Sequence, residues 1–280
     1  MRHNREDHAY KMSLNRFADM TFQEFSDKML MPRQKVPGPV NSEPADAGDF
    51  SEVDWKVSGF TPEILNQGYC GSCWAFSAAE AMSAHYAFKT NQSAPTLSPQ
   101  ELVDCVPESY NCFGCEGGWP SRAMEYALDH LHGGLVRYSD YPYTGQDGQC
   151  NTTTLNQTVN VNASSVYNIT SGSQKELLYI LRNNGPVSVC LDVTMNFQFY
   201  SHGIFDDTTC GTDHVNHAVL LYGLYYDSST QKWAYLVRNS WGVDTSGDDS
   251  GWGDAGDIYM NAESMDGNIC AIASVASTII

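Results

Sequence analysis

Residues 67–82 read QGYCGSCWAFSAAEAM, with Cys70 and Cys73 three apart behind glycines, at the mouth of a small-residue and aromatic run. From Trp74 to Phe88 apolar and small residues are nearly continuous, which predicts a helix buried on most of its sides. A cysteine pair placed there can be stapled, hold a metal or react. Zinc has some pattern in its favour, because Cys70-x-x-Cys73 is followed by Cys112-x-x-Cys115. The 38 residues between the pairs exceed the roughly 15 to 20 of compact zinc sites, and the flanks read as helix. A thioredoxin-like redox pair needs a preceding βαβ unit, which the sequence before Cys70 lacks. Two structural half-cystines stay open at this point.

The reactive alternative puts Cys73 at the start of the buried helix, where free backbone N–H groups and the positive dipole end stabilise a thiolate. Such a nucleophile needs a base, a group that orients the base, and donors for the oxyanion. His217, in VNHAVLLYG, opens an apolar strand where an imidazole has no packing reason to be. Asn239, in LVRNSWG, ends another strand and is followed by Trp241. Gln67, six residues before Cys73, is a polar side chain close enough to donate to an oxyanion.

The 280 residues suffice for one large domain or two lobes around a sizeable core. Fifteen Lys plus Arg against 33 Asp plus Glu give a net charge of −18. That charge repels phosphates, so it argues against nucleic-acid and anionic-membrane partners and suits a soluble protein working in acid. No stretch approaches the roughly 18 to 20 apolar residues of a membrane helix. Nine cysteines and five N-x-S/T sequons, at Asn91, Asn151, Asn156, Asn162 and Asn168, point to the secretory route and to glycosylation. The four sequons between 151 and 170 share a Thr- and Asn-rich stretch that reads as one surface loop. MRHNREDHAY has no apolar h-region, so an oxidised, secreted protein implies further sequence before Met1.

Along the chain, residues 32–48 hold four prolines and two glycines and read as an extended linker. LSPQELVDC predicts a helix with Ser98 as N-cap, Pro99 in the first turn and Glu101 completing a capping box. WPSRAMEYALDHLHGG predicts a helix closed by Gly133 and Gly134, and SQKELLYILRNNGP another. The second half changes period: PVSVCLDV, HAVLLYGLYY, WAYLVRNSW and DIYMNA are short, β-branched and aromatic. A helical half followed by a strand half predicts an α+β protein of two lobes. DTSGDDSGWGDAGD (244–257) faintly resembles a calcium loop but lacks its terminal Glu, and reads as a solvated surface loop.

QGYCGSCWAF, GCEGGWP, YPYTG, NHAV and NSWG, in that order, resemble a papain-family cysteine protease of the cathepsin L-like kind over about residues 3–280. CGSCW is that family's signature around its nucleophile, with His and Asn far downstream. The resemblance implies a papain-like two-lobe fold, with a helical lobe at about 62–167. A β-rich lobe would span about 168–280 together with the 53–61 arm. Cys73 would be the nucleophile, His217 the general base and acid, and Asn239 its orienter. Gln67 would be the oxyanion donor, and Trp241 would shield the His–Asn bond. Gly117, Gly118, Trp119 and Pro120 would bind substrate, as would Cys190, Val215, Ala218, Trp241 and Val275; Leu, Val or Phe is expected in the pocket. Family pairing implies disulfides Cys70–Cys115, Cys105–Cys150 and Cys210–Cys270, and leaves Cys112 unplaced. No metal or organic cofactor is implied. The reaction would be endopeptidase cleavage through a thioester, the partners protein and peptide substrates, the state a monomer, and the location lysosomal or secreted. A catalytically silent binding or inhibitor protein of this fold is the alternative.

HNREDHAYKMSLNRFADMTFQEF further resembles the end of the family's inhibitory prosegment, with an N-x-F-x-D element at Asn15, Phe17 and Asp19. Residues 1–52 would then be a partial prosegment and linker ahead of a peptidase at 53–280. Residues 32–50 would cross the cleft backwards, Asp19 would help to dock the segment, and acid would release it by cleavage between Pro44 and Val53.

Overall fold

The computed structural model describes residues 3–5, 8–37, 50–243 and 251–280. Its helices are α1 (Phe22–Met29), α2 (Cys73–Thr90), α3 (Pro99–Cys105), α4 (Pro120–His130), α5 (Gln174–Asn184) and α6 (Met195–Gln198). The strands begin with β1 (Tyr10–Met12), β2 (Gln34–Lys35), β3 (Val53–Asp54), β4 (Gly134–Leu135), β5 (Val159–Asn160) and β6 (Val166–Asn168). They continue with β7 (Val187–Leu191), β8 (Tyr200–Phe205), β9 (His214–Val215), β10 (His217–Asp227), β11 (Lys232–Arg238), β12 (Asp257–Asn261) and β13 (Ala276–Ile279). The fold is the papain-like α+β architecture, with helices gathered in the first half and a large mixed sheet in the second.

That sheet runs β1-β8-β12-β11-β10-β7-β13-β6, with β3 added on β10. β12 and β8 pair in parallel, and the other ladders are antiparallel. β10 explains why its sequence lacks a polar alternation. Val219 and Leu221 face one apolar core, while Leu220 and Tyr222 face the other, as a period of two requires. The arm at β3 crosses β10 at Gly223, where a Cβ would meet the Val53 carbonyl oxygen at 2.4 Å.

The second core is the helical one. Trp74, Ala78 and Met82 of α2 pack there with Leu102 of α3 and Met124 of α4. α2 is longer than the apolar run suggests and ends on Asn91 in a left-handed conformation. Its Ser77 donates to the Val219 carbonyl at 2.7 Å and meets Ser188 Oγ at 2.6 Å, a polar tie into the sheet.

Several sequence expectations change. Ser98 caps the Glu101 N–H at 3.1 Å, but Glu101 accepts from the Val136 N–H at 2.8 Å, so the capping box is half made. α4 stops at His130, before either glycine. The sequon stretch contains β5 and β6 rather than a single loop, although all five sequon asparagines are exposed. Residues 244–250 lie outside the described residues; Trp252 and Asp257, in the remainder of that stretch, are buried. Asp257 is no part of a solvated loop: Lys56 Nζ lies 2.7 Å and Arg238 Nε 3.6 Å from its carboxylate.

Candidate active site

Gln67, Cys73, His217 and Asn239 converge where α2 begins against the end of the sheet. Cys73 is the first residue of α2, and Ser72 precedes it without a side-chain cap, so the first-turn N–H groups are left for the sulfur. β7, β10 and β11 are neighbours, so His217 at the start of β10 and Asn239 just after β11 share one end of the sheet. His217 Nε2–H donates to Asn239 Oδ1 at 2.7 Å, which leaves Nδ1 without a hydrogen-bond partner among the described residues. Trp241 covers this bond, its ring 4.9 Å from the imidazole centroid. Trp241 packs in the core of the β-rich half, apart from the apolar cluster around Met31.

Gln67 is fully buried, and its carboxamide is fixed at both ends. Oε1 accepts from Ser240 Oγ at 2.6 Å, and Nε2 donates to the carbonyls of Cys70 and Met29, each at 2.9 Å. Met29 belongs to the N-terminal segment, so a backbone carbonyl from outside the Cys73–Asn239 half already occupies this donor. Tyr143, of the YPYTG stretch, holds the loop by donating to the Gln67 carbonyl at 2.8 Å and meeting Ser72 Oγ at 2.6 Å.

The apolar pocket is a separate cluster of Cys73, Cys190, Val215, Ala218 and Ala271, with Trp119 and Val275 packed against it. Met31 fills it. Gly117 makes room: a Cβ there would lie 2.9 Å from Met31 Cβ and 3.0 Å from Pro32 Cδ. Gly118 backs onto Trp74 and Cys112, and Pro120 opens α4 behind Trp119. His214 stands apart on β9, paired with Asp213.

Residues 29–37 therefore cover the site, and they begin to do so before residue 32, where the sequence placed the crossing. Met31 N–H donates to the Asn216 carbonyl at 2.9 Å, and β2 pairs antiparallel with β9. Asp19 is exposed and makes no hydrogen bond or ion pair among the described residues. The segment is held instead by Asn15, which donates to the Gln198 carbonyl at 2.9 Å, and by Arg16, which donates to the Trp241 carbonyl. Phe17 and Phe25 pack edge-on against Trp241, and Arg33 pairs with Asp192 at 3.0 Å. Asn15 and Phe17 were visible as a motif; Arg33 and Asp192, far apart in sequence, carried no local signal.

Burial under this segment sets the charges. It pushes the Cys73 thiol up to about 11 and His217 down to about 4, against the smaller pull of Asn239. In the covered site burial thus opposes the charged form of both groups, the thiolate of Cys73 and the imidazolium of His217.

Cys70–Cys115, Cys105–Cys150 and Cys210–Cys270 are disulfide-bonded, and Cys73, Cys112 and Cys190 are free and buried. With Cys70 joined to Cys115, neither C-x-x-C pair can act as a thiolate pair. No cluster of His, Cys, Asp and Glu among the described residues could hold a metal ion.

Comparison with known proteins agrees with this arrangement. Residues 50–280 match the papain family cysteine proteases, and residues 1–25 match the cathepsin propeptide inhibitor domain. The chain belongs to the papain family of cysteine proteases. Pro-cathepsin H of Medicago truncatula is 38% identical over 98% of this chain and 74% of its own length. An aleurain-like thiol protease of Arabidopsis thaliana is 39% identical over 98% and 73%. Among solved structures, digestive procathepsin L 3 of Tenebrio molitor larval midgut superposes with a TM-score of 0.82 at 32% identity, covering 99% of this chain and 85% of that one. The protein is a cysteine endopeptidase made as a zymogen, and its own prosegment covers the cleft. Among the described residues no helix is long and apolar enough to cross a membrane.

Proposed function

We propose that Cys73 is the nucleophile of this papain-family endopeptidase, with His217 as general base and acid and Asn239 as its orienter. Gln67 and the Cys73 backbone N–H then form the oxyanion hole. The observation that carries the reading is the Met29 carbonyl on Gln67 Nε2, 2.9 Å away: the donor meant for a developing oxyanion is aimed at a peptide carbonyl. Once the prosegment leaves, solvent returns to the thiol and imidazole, and the thiolate–imidazolium pair becomes accessible. The thiolate adds to the scissile carbonyl, the tetrahedral oxyanion is held by Gln67, and imidazolium protonates the leaving amine. Water then hydrolyses the thioester with His217 as base. An amide at 239 orients the ring without adding a full charge that would bias its titration.

Met31 in the apolar pocket supports a preference for Leu, Val or Phe, and also Met, at the second residue before the cleaved bond. A charge there would lose solvation without gaining a partner. Residues 1–52 act as prosegment and linker, and 53–280 as the peptidase with its helical and β-rich lobes. The sequons and disulfides fit a glycosylated, secreted or lysosomal monomer that needs neither metal nor cofactor, and whose charge keeps it from nucleic acid and membranes.

The test is a thiol-directed epoxide on acid-activated protein, followed by peptide mapping. Label is expected on Cys73 alone, and its loss is expected in His217→Ala. Labelling of Cys112 or Cys190 with Cys73 unmodified overturns the assignment.

A further inference from the structure

A cavity of about 350 Å³ opens beside the apolar pocket, and the two share Trp119 and Val275. Its walls come from both halves of the molecule: Ser121 and Arg122 in the first turn of α4, and Asn168 with Ser171 across from them. Pro37, six residues beyond the Met31 that fills the apolar pocket, also lines it. The prosegment thus leads from one to the other, so a substrate's residues upstream of the pocket residue cover the same ground.

The charges around this cavity are one-sided. Its lining contains one cation, Arg122, and no carboxylate, in a chain of net charge −18. Glu125 pairs with Arg122 at 2.7 Å but lies outside the lining. Glu176 is buried and committed to Tyr167 OH at 2.5 Å and to the Thr170 N–H at 3.0 Å. The Arg122–Glu125 bridge joins side chains 52% and 29% exposed, a weak pair that an incoming carboxylate can displace.

We propose that this cavity is a subsite for an acidic side chain at the third or fourth residue before the cleaved bond, with Arg122 as its cation. Asn111 and Asn168, both in the lining, supply further hydrogen-bond donors. The guanidinium offers a planar fork that a carboxylate can engage through two bonds. This inference rests on the protease reading above and adds to it a second selective position.

The experiment uses the full chain activated in acid and free of N-linked glycan, because Asn168 heads a sequon. Active sites are counted with the thiol-directed epoxide. The specificity constant kcat/KM is then read near pH 6.5 on peptides sharing Leu at the pocket position, with Glu, Gln or Lys at each of the two upstream positions. Glu is expected to exceed Gln by about three- to tenfold at one of them, with Lys slowest. Arg122→Gln is expected to remove the preference, and Glu125→Gln, which frees the guanidinium, to widen it. Equal rates for Glu and Gln in the wild type, or a preference that survives Arg122→Gln, overturn the subsite. Failure of every peptide together with no epoxide labelling defeats the protease reading instead, so the two failures are distinct.

Discussion

Gln67 illustrates how one side chain is committed by its neighbours. Ser240 holds its oxygen, so the amide can only present its N–H groups to the carbonyls of Cys70 and Met29. Gln67→Ala in the activated enzyme should lower kcat by ~10²–10³ with a smaller change in KM, because the lost bond strengthens as the oxyanion forms. Equal losses in ground-state binding and turnover would make Gln67 a packing residue. Met31 is the counterpart on the prosegment. It is fully enclosed among apolar groups and thiols, so Met31→Asp should weaken docking by several kcal/mol through an unpaired buried charge. Measurable peptidase activity of the uncut Met31→Asp chain at neutral pH checks this, and a variant as silent as wild type would contradict it.

At the scale of the element, α2 carries both Cys73 and a liability. Two turns below Cys73, Glu80 is buried and its Oε1 has no hydrogen-bond partner among the described residues. Burial pushes its carboxyl up to about 8, with Arg238 pulling the other way. A folded value raised above the unfolded one near 4.5 gives stability that is present in acid and lost as pH rises toward 8. Glu101, pushed up to about 7 by burial, works in the same sense. Glu80→Gln should therefore match wild type in thermal stability at pH 4.5 and exceed it by roughly 2–4 kcal/mol at pH 8. Melting temperatures across that range decide the matter, and parallel curves would mean that Glu80 is ionised in place. α2 also marks the limit of what the sequence could say. Its apolar run, the strands around His217 and Asn239, and the CGSCW signature are local patterns, so fold class and candidate chemistry were readable from them. Asp257 was not. It sits in a run of Asp, Gly and Ser that resembles solvent-facing loop, and only the tertiary approach of Lys56 and Arg238 makes it interior. β1 and β13 were missed because they are short and their pairing partners lie far away in sequence, and β8, YSHGIF, because Ser, His and Gly interrupt any apolar run.

For the whole molecule, the decisive relation is between prosegment and peptidase. β1 extends the large sheet at its β8 edge, and Phe17, Phe25 and Met29 complete the core of the β-rich half. Residues 1–52 carry seven Lys plus Arg and nine Asp plus Glu, and the rest carries eight and 24, so the charges are −2 and −16. Net attraction does not hold the two together. Apolar burial and a few fixed polar bonds do. Carboxylates take part in those bonds: Glu52 accepts from the Tyr226 N–H at 3.1 Å, and Asp192 holds Arg33. Asp192, nearly buried, accepts from Arg33 Nε at 3.2 Å and Nη2 at 3.0 Å, and from the Gly211 N–H at 2.7 Å. Arg33 lies two residues beyond Met31, so loss of its ion pair loosens the strand that covers the pocket. The ion pair that fixes the segment is thus at Asp192 rather than at Asp19, which makes no hydrogen bond or ion pair among the described residues. Arg33→Gln removes that pair. The Arg33→Gln zymogen should consequently process faster than wild type near neutral pH. Mass spectrometry of the N-terminus against time at that pH reads the rate. A variant that processes no faster than wild type would mean that the Arg33–Asp192 pair does not hold the covering strand in place.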